Sequence, residues 1–459
     1  MEDIFLNFFS IVDDPNSFVF HHANMVKIFY DEYTTILKKK TEPVYRKDLR
    51  NKYSLQALIR YLSPARLFKA WSFILKESRQ PDGKVFWYGL TDRYVTVENE
   101  VYDVYNYNIL KTLGRENVIC MQDTRDKQSK KYLPDIYLED FALPVFFLQV
   151  YLTVIWNRKI NRFAKNLVQK YPKLGFSSKQ VKRIVVKFWA KYFLFRSILK
   201  KLKSKSVVNL CHYSKHSFNL ACRHLGIPNL ELMHGHIMRT HPYYNIPNLP
   251  PGFFLPMREL LPDTIGVYGQ YWKDNLIEGK QFSCEQVKVA GYYLHNGGIH
   301  KSKQDERTTI LITTQPYVQK EIIEYVSFLK SHLNASTTKV IIKPHPAEDI
   351  SNYLAIQDSQ LVYVITGDVY TLLQTADIHI SVFSTVLFEA IRYDLANYVL
   401  FVNRFARECN DIIDSGVAER LNLDEIPALN PVISKNARYY FDDFDIQRFH
   451  DMIIEKPLT

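Results

Sequence analysis

The 459-residue sequence has little cysteine: five residues, at Cys120, Cys211, Cys222, Cys284 and Cys409. An odd, widely spaced set without a Cys-x-x-Cys pair argues against a disulfide framework and against a zinc site, so a reducing compartment is expected. Met1 to Phe5 lack the basic stretch that opens a secretory signal, and export is not expected. No apolar run reaches the ~20 residues of a spanning helix. The longest, Phe141 to Trp156, is broken by Gln149 and reads as a buried or interfacial helix. Internal repeats and low-complexity linkers are missing. So are Asp and Glu between Phe141 and Leu230.

What is present describes a folded chain. Hydrophobic residues make up 47% and charged residues 23%, which excludes a disordered polymer, and the length calls for two domains. Aromatics reach 14%, which sugar-stacking surfaces would use but a Tyr/Phe-rich background explains more simply. The net charge of +11 is uneven, with sixteen Lys and Arg between Arg158 and Lys205. Within that stretch, Val181 to Phe193 sets cations and aromatics at helical spacings. An anionic membrane surface suits it, each nearby cation contributing roughly 1 kcal/mol. A solvated basic face is the plainer alternative. Nucleic acid is not expected as a partner, because no nucleic-acid motif accompanies the charge.

Short β-branched or aliphatic runs recur through the second half, at Val287–Gly291, Thr309–Thr313, Lys339–Lys343, Leu361–Ile365, Ile378–Ser381 and Tyr398–Val402. Helical patterns at Gln319–Leu333, Val369–Thr375 and Thr385–Tyr393 lie between them, and this alternation predicts a parallel, doubly wound sheet. In the first half, strands are expected at Val85–Gly89, Val118–Met121, Val207–Leu210 and Leu230–Met233, with a helix over Ser214–Leu225 stopped at Gly226. Basic helices from about 140 to 205 look inserted between strands. Residues 1–80 read as largely helical without a place in the scheme. The expected domains are 1–270 and 271–459, with the junction falling within 265–295.

Three clusters carry chemistry, each just past a strand, where doubly wound sheets bind ligands. In the first, Lys343-Pro-His345-Pro346, two prolines stiffen the loop that presents His345 and Lys343 to a phosphate. In the second, Ser381, Ser384 and Thr385 start a helix whose free N–H groups favour an anion, and Glu389 lies one turn on, suited to a ribose hydroxyl. Plain N-capping accounts for the same hydroxyls. The third is His234-Gly235-His236, followed by Arg239 and His241, where a near-neutral imidazole suits a general base or a substrate contact. The histidine spacing matches no metal site, and none is expected.

Lys-Pro-His-Pro, then Ser-x-x-Ser-Thr-x-x-x-Glu-Ala, preceded by a His-Gly loop, resembles bacterial surface-polysaccharide glycosyltransferases of the GT-B fold. That group includes sialyltransferases, Kdo transferases and teichoic acid polymerases. Tyr370–Asp377 and Gly269–Trp272 leading to Val289–Gly291 fit the same likeness, which covers about 230 to 400. The resemblance implies two Rossmann-like domains facing a cleft, and an inverting, metal-independent transfer from a nucleotide sugar. No other cofactor is implied. His345, Lys343, Pro346 and the Ser381/Ser384/Thr385 loop would hold the nucleotide phosphate, with Gln315 adding a polar contact. His234 resembles the base of the teichoic-acid branch, and the acidic base motif of many sialyltransferases is not evident. The acceptor would be a growing or lipid-linked glycan at the cytoplasmic face of the inner membrane. A CDP-polyol phosphotransferase, a nucleotide-sugar epimerase and a non-catalytic assembly partner are the rival readings.

Overall fold

The computed structural model describes residues 8–41, 63–80, 83–90, 94–97, 100–124, 134–239, 241–246, 249–294, 305–345, 348–358, 360–429 and 436–454. The chain divides into two compact units. One comprises Met1–Ile237, His241–Leu294 and Asp443–Thr459, and the other Met238–Thr240 and His295–Asp442.

The first unit is built on a seven-stranded parallel sheet of β1 (Val85–Tyr88), β2 (Val118–Gln122), β3 (Ile136–Tyr137), β4 (Ser206–Asn209), β5 (Asn229–Leu232), β6 (Thr264–Val267) and β7 (Val287–Val289). Its spatial order is β7-β6-β5-β4-β1-β2-β3, so the winding reverses between β1 and β4. The second unit holds a six-stranded parallel sheet of β8 (Thr308–Thr313), β9 (Thr338–Lys343), β10 (Val362–Val364), β11 (Ile378–Ser381), β12 (Ala396–Leu400) and β13 (Glu419–Leu421). Its order is β10-β9-β8-β11-β12-β13, reversing between β8 and β11. Two doubly wound α/β sheets, the expected fold class, are therefore present. The central strands are buried on both faces, as parallel strands with continuous aliphatic runs must be.

The helices that accompany these sheets include α1 (Val26–Thr41), α2 (Pro64–Glu77), α3 (Ala142–Ile155), α4 (Asn157–Lys170), α5 (Ser178–Leu202), α6 (His216–Leu225), α7 (Gln270–Glu278), α8 (Gln319–His332), α9 (Val386–Ala390) and α10 (Ile446–Ile454). Between β3 and β4 run α3, α4 and α5, the basic insertion read from the sequence. Helix α5 starts in a capping box, in which the Ser177 hydroxyl takes the Gln180 N–H and the Gln180 side chain takes the Ser177 N–H. It buries Val181, Val185, Trp189, Ile198 and Leu199 at the centre of one large core. The N-terminal segment that had no place in the sequence reading packs into that core through Phe8, Phe18, Phe29 and Tyr30.

The break falls inside the expected junction of 265–295, but later than residue 270. Position 270 lies inside the first unit, because β6, α7 and β7 complete its sheet and the break falls after Leu294. The chain then returns, and α10 packs against β4 and β5. Gly291 is required at that return: at φ +87°, a Cβ would sit 2.2 Å from the Asp443 carbonyl oxygen. Sequence reading also missed β6. Its Thr-Ile-Gly-Val run carries a glycine that weakens a strand signal, yet Gly266 is where the Leu232 side chain approaches, 2.8 Å from a built Cβ.

Candidate functional site

The second sheet reverses between β8 and β11, and it is at the carboxyl ends of strands at such a reversal that doubly wound sheets as a class bind ligands. Three segments named from sequence end there on adjacent strands: Thr313–Gln315 after β8, Lys343–His345 after β9, and Ser381–Thr385 after β11. Neighbouring strands lie only about 5 Å apart, which brings the three loops together. Pro346 lies outside the described residues.

The loop bearing His345 is fixed by its neighbours. The His345 backbone N–H donates to Thr314 Oγ1 (3.1 Å) and Glu348 Oε2 (3.0 Å). The Thr314 hydroxyl also donates to Glu348, and Tyr353 Oη donates to its other carboxylate oxygen at 2.8 Å. The imidazole stands exposed at the tip. Burial draws the half-buried Lys343 ammonium below its ordinary value, and Nζ donates to the Pro344 carbonyl at 3.2 Å. Gln315 spans the reversal, its Oε1 accepting the Phe383 N–H at 2.9 Å.

The serine loop divides its labour. Ser381 is fully buried, and its hydroxyl donates to the Thr313 carbonyl at 2.7 Å, so it ties β11 to β8 and does not face a ligand. Ser384 is half-buried, with Oγ accepting the Val386 N–H at 3.3 Å, and Thr385 is exposed. The helix that follows, α9, has only five residues, and Thr385 O already takes the Phe388 and Glu389 N–H groups. Its dipole is therefore short. Glu389 is buried and accepts from Tyr370 Oη at 3.1 Å, which holds it in the protein.

Two residues at this site carried no signal in the sequence. His379, in the middle of β11, is fully buried, and burial lowers its pKa to about 4. Asn397 donates through Nδ2 to the carbonyls of Leu387 and Val417, so its Oδ1 must accept from His379 Nδ1 (2.7 Å). Nε2 then accepts the Thr313 hydroxyl at 2.9 Å. The neutral ring is thus a strut beneath the tip of β8. Glu348 is the other, an acid three residues after His345 whose partners come from β8 and from Tyr353.

The first unit gathers His234, Gly235 and His236 after β5. His234 is half-buried, with Nε2 3.0 Å from Cys211 Sγ, and Cys211 follows β4 in left-handed backbone at φ 58°. Beside Gly235 a Cβ would meet no atom within 4 Å, so no packing demand of the protein explains the glycine there and the space is open. The His236 ring lies 5.0 Å from that of Trp272, and His241 lies 5.0 Å from Tyr244. Arg239 is exposed and groups with the second unit.

Behind these residues lies a polar network that sequence reading did not find. His212 Nδ1 donates to Glu231 Oε2 at 2.8 Å, Tyr244 Oη donates to Glu231 Oε1, and all three residues are buried. Burial alone would raise the Glu231 carboxyl, but His212 and Tyr244 outweigh it and hold it below its ordinary value. Alongside, Asp31 takes Lys27 Nζ at 2.6 Å and His216 Nε2 at 2.7 Å. Buried Lys215 donates to the Tyr88 carbonyl at 2.8 Å, and burial lowers its pKa to about 8. Among the described residues no three His, Cys, Asp or Glu side chains are grouped to hold a metal ion.

No protein-family model matches the chain, and no curated protein matches its sequence. Similar solved structures include Acinetobacter baumannii MurG, at 12% identity over 81% of this chain and 99% of that one, with TM-score 0.42. A glycotransferase of kitacinnamycin aligns at 10% identity over 81% and 94%, TM-score 0.43. The Methanocaldococcus jannaschii UDP-GlcNAc 2-epimerase in complex with UDP-GlcNAc and UDP aligns at 12% over 82% and 94%, also at 0.43. The doubly wound class rests on the two sheets themselves.

Proposed function

We propose that the chain is a glycosyltransferase that moves a sugar from a nucleotide-sugar donor, a CMP-sugar being favoured, to a growing or lipid-linked surface glycan of the capsule or lipopolysaccharide kind. The observation that carries this reading is the convergence of Lys343, His345, Gln315, Ser384 and Thr385 on adjacent strand ends at the reversal of the second sheet. Such a set offers an ammonium, an imidazole, an amide and two hydroxyls to a diester or diphosphate, and it suits charge building on a leaving phosphate.

In the reaction the acceptor hydroxyl oxygen attacks the anomeric carbon as the bond to the donor phosphate breaks, inverting that carbon. His234 takes the hydroxyl proton, and the phosphate departs with the bonding electrons, stabilised by His345 and Lys343. Neither a metal nor a further cofactor has a role in the proposal. Gly235, His236, Arg239 and His241 contact the substrate. The basic stretch Arg158–Lys205 brings the enzyme to an anionic membrane, at the cytoplasmic face in a bacterium.

Thermal-shift titration of the purified chain with CMP, CDP, UDP and GDP, each with and without EDTA, tests the reading. Stabilisation by one nucleotide, unaffected by EDTA and lost in His345→Ala and Ser384→Ala, is the expected result. Stabilisation by CDP alone would redirect the reading to a CDP-polyol phosphotransferase, and none by any nucleotide would end the transferase reading.

A further inference from the structure

Helix α3 exposes an apolar surface that a water-soluble fold does not need. Phe146, Phe147, Val150, Tyr151, Val154 and Ile155 are each between 48% and 69% accessible, and no other described element concentrates large apolar side chains in this way. Their spacing places them along one side of α3. The opposite side, through Leu152, Val145 and Leu148, packs into the core around α5. A contiguous exposed patch of this kind marks an interaction surface.

The expectation from sequence, a buried or interfacial helix, is thereby narrowed to the second alternative. The apolar stretch Leu138–Ile155 has 18 residues and a mean hydropathy of 1.6, enough by length and composition to cross a bilayer, yet only 17% of it is buried in the protein. A spanning helix would meet lipid all round. Here one side is committed to protein along the helix, and α4 follows with Ile160, Ala164 and Leu167 seated in the same core. The arrangement fits a helix lying in the plane of a surface.

Charge says which surface. Where α3, α4 and α5 meet there is a groove of about 470 Å³, lined by Phe146, Val150, Val154, Ile160 and Val186, with Lys182 and Arg183 among its walls. Arg158, Lys159, Arg162 and Lys165 stand exposed on α4, directly after the apolar helix. No acid occurs from 141 to 230 to offset them. Gln149, Thr153, Asn157 and Asn161 also line the groove, but every charged side chain lining it is a cation. Aromatic and aliphatic side chains beside such cations match an anionic bilayer, acyl chains against the first and lipid phosphates against the second.

We infer that α3 is an in-plane membrane anchor, inserted by its Phe147/Val150/Tyr151/Val154 side into an anionic bilayer while Lys182, Arg183 and the α4 cations bind phosphates. This deepens the proposed membrane association, which needs only electrostatic attraction, and it does not depend on donor chemistry.

Co-sedimentation of the full chain with phosphatidylcholine vesicles, with or without about 30 mol % phosphatidylglycerol, provides the test. Wild type should bind the anionic vesicles and keep part of that binding in about 0.5 M salt, where charge attraction is strongly screened. Phe147→Glu/Tyr151→Glu should weaken binding at least about tenfold at either salt. Lys182→Glu/Arg183→Glu should weaken it chiefly at low salt. All four side chains lie at the surface or the groove wall, and unchanged thermal unfolding confirms the fold. If salt strips wild type completely and the α3 variant binds equally well, insertion is overturned while electrostatic docking stands. If wild type binds no vesicle, both readings fall. If wild type is a dimer without lipid and the α3 variant is a monomer, a second copy covers this face and the inference is overturned. Val150→Trp gives an independent readout: vesicles with brominated acyl chains should quench it more than wild type, and equal quenching rejects insertion.

Discussion

At the carboxyl ends of the first sheet, His212, Glu231 and Tyr244 close a hydrogen-bonded network from which water is shut out, while at those of the second sheet the imidazole of His345 and the hydroxyl of Thr385 stand in solvent. Both sheets reverse their winding once, and both send loops from the reversal. In the first unit several buried polar groups pair with one another: Asp31 binds both Lys27 and His216, and Lys215 binds the Tyr88 carbonyl. In the second, buried Ser381 and His379 and half-buried Glu348 hold the loops, while the His345 and Thr385 side chains face solvent. The two reversals thus share a topology and differ in the solvation of their polar groups.

Removing one member of the buried network is the strongest way to break this contrast. Glu231→Ala leaves His212 and Tyr244 unpartnered and should cost about 3–5 kcal/mol in urea unfolding, as loss of one partner from a buried pair does. A cost under about 1 kcal/mol would show that the network is not structural.

The next effect lies in the second unit and depends on pH. His379 is neutral in the fold, with its pKa lowered to about 4 against an ordinary 6.5. The unfolded chain therefore binds the extra proton first as pH falls. The stability in question is fully present above pH 6.5, declines as pH drops toward 4, and amounts to about 3 kcal/mol once lost. His379→Gln should start lower at pH 7 but unfold with a flatter pH dependence across that window, read by denaturant midpoints at several pH values.

His345→Ala should act the other way from Glu231→Ala. Nucleotide affinity should fall about tenfold or more, roughly 1.5–3 kcal/mol for a lost hydrogen bond to a charged group, with unfolding unchanged. Titration calorimetry with the stabilising nucleotide checks the first part and thermal unfolding the second. The smallest effect is expected at Gly235, where an added Cβ meets no atom. Gly235→Ala should change stability by less than about 0.5 kcal/mol, so any larger loss of turnover would report a ligand in that space.

Much of the second unit was legible because parallel strands buried on both faces leave aliphatic runs, and Thr309–Thr313, Lys339–Lys343 and Ile378–Ser381 all fall on strands. Strand β13 and the glycine-bearing β6 were not, since neither carries such a run. The placing of His345, Gln315 and Ser384 past strand ends was likewise readable from order along the chain. The parting of Ser381 from Ser384 was not: both are serines in one loop, and only the approach of the Thr313 carbonyl, 68 residues away in sequence, makes the first structural.

By itself, then, the sequence determined the alternation of strand and helix, the positions of the candidate ligand loops, and the one-signed charge of 141–230. Those are local properties, written in periodicity and composition. The tertiary structure decided which strands are neighbours, that the first unit runs to Leu294 and takes back α10, that Glu231 and His379 are buried, and that α3 keeps its apolar side outward. Each of these depends on what packs against a residue from elsewhere in the chain, and no local pattern records that.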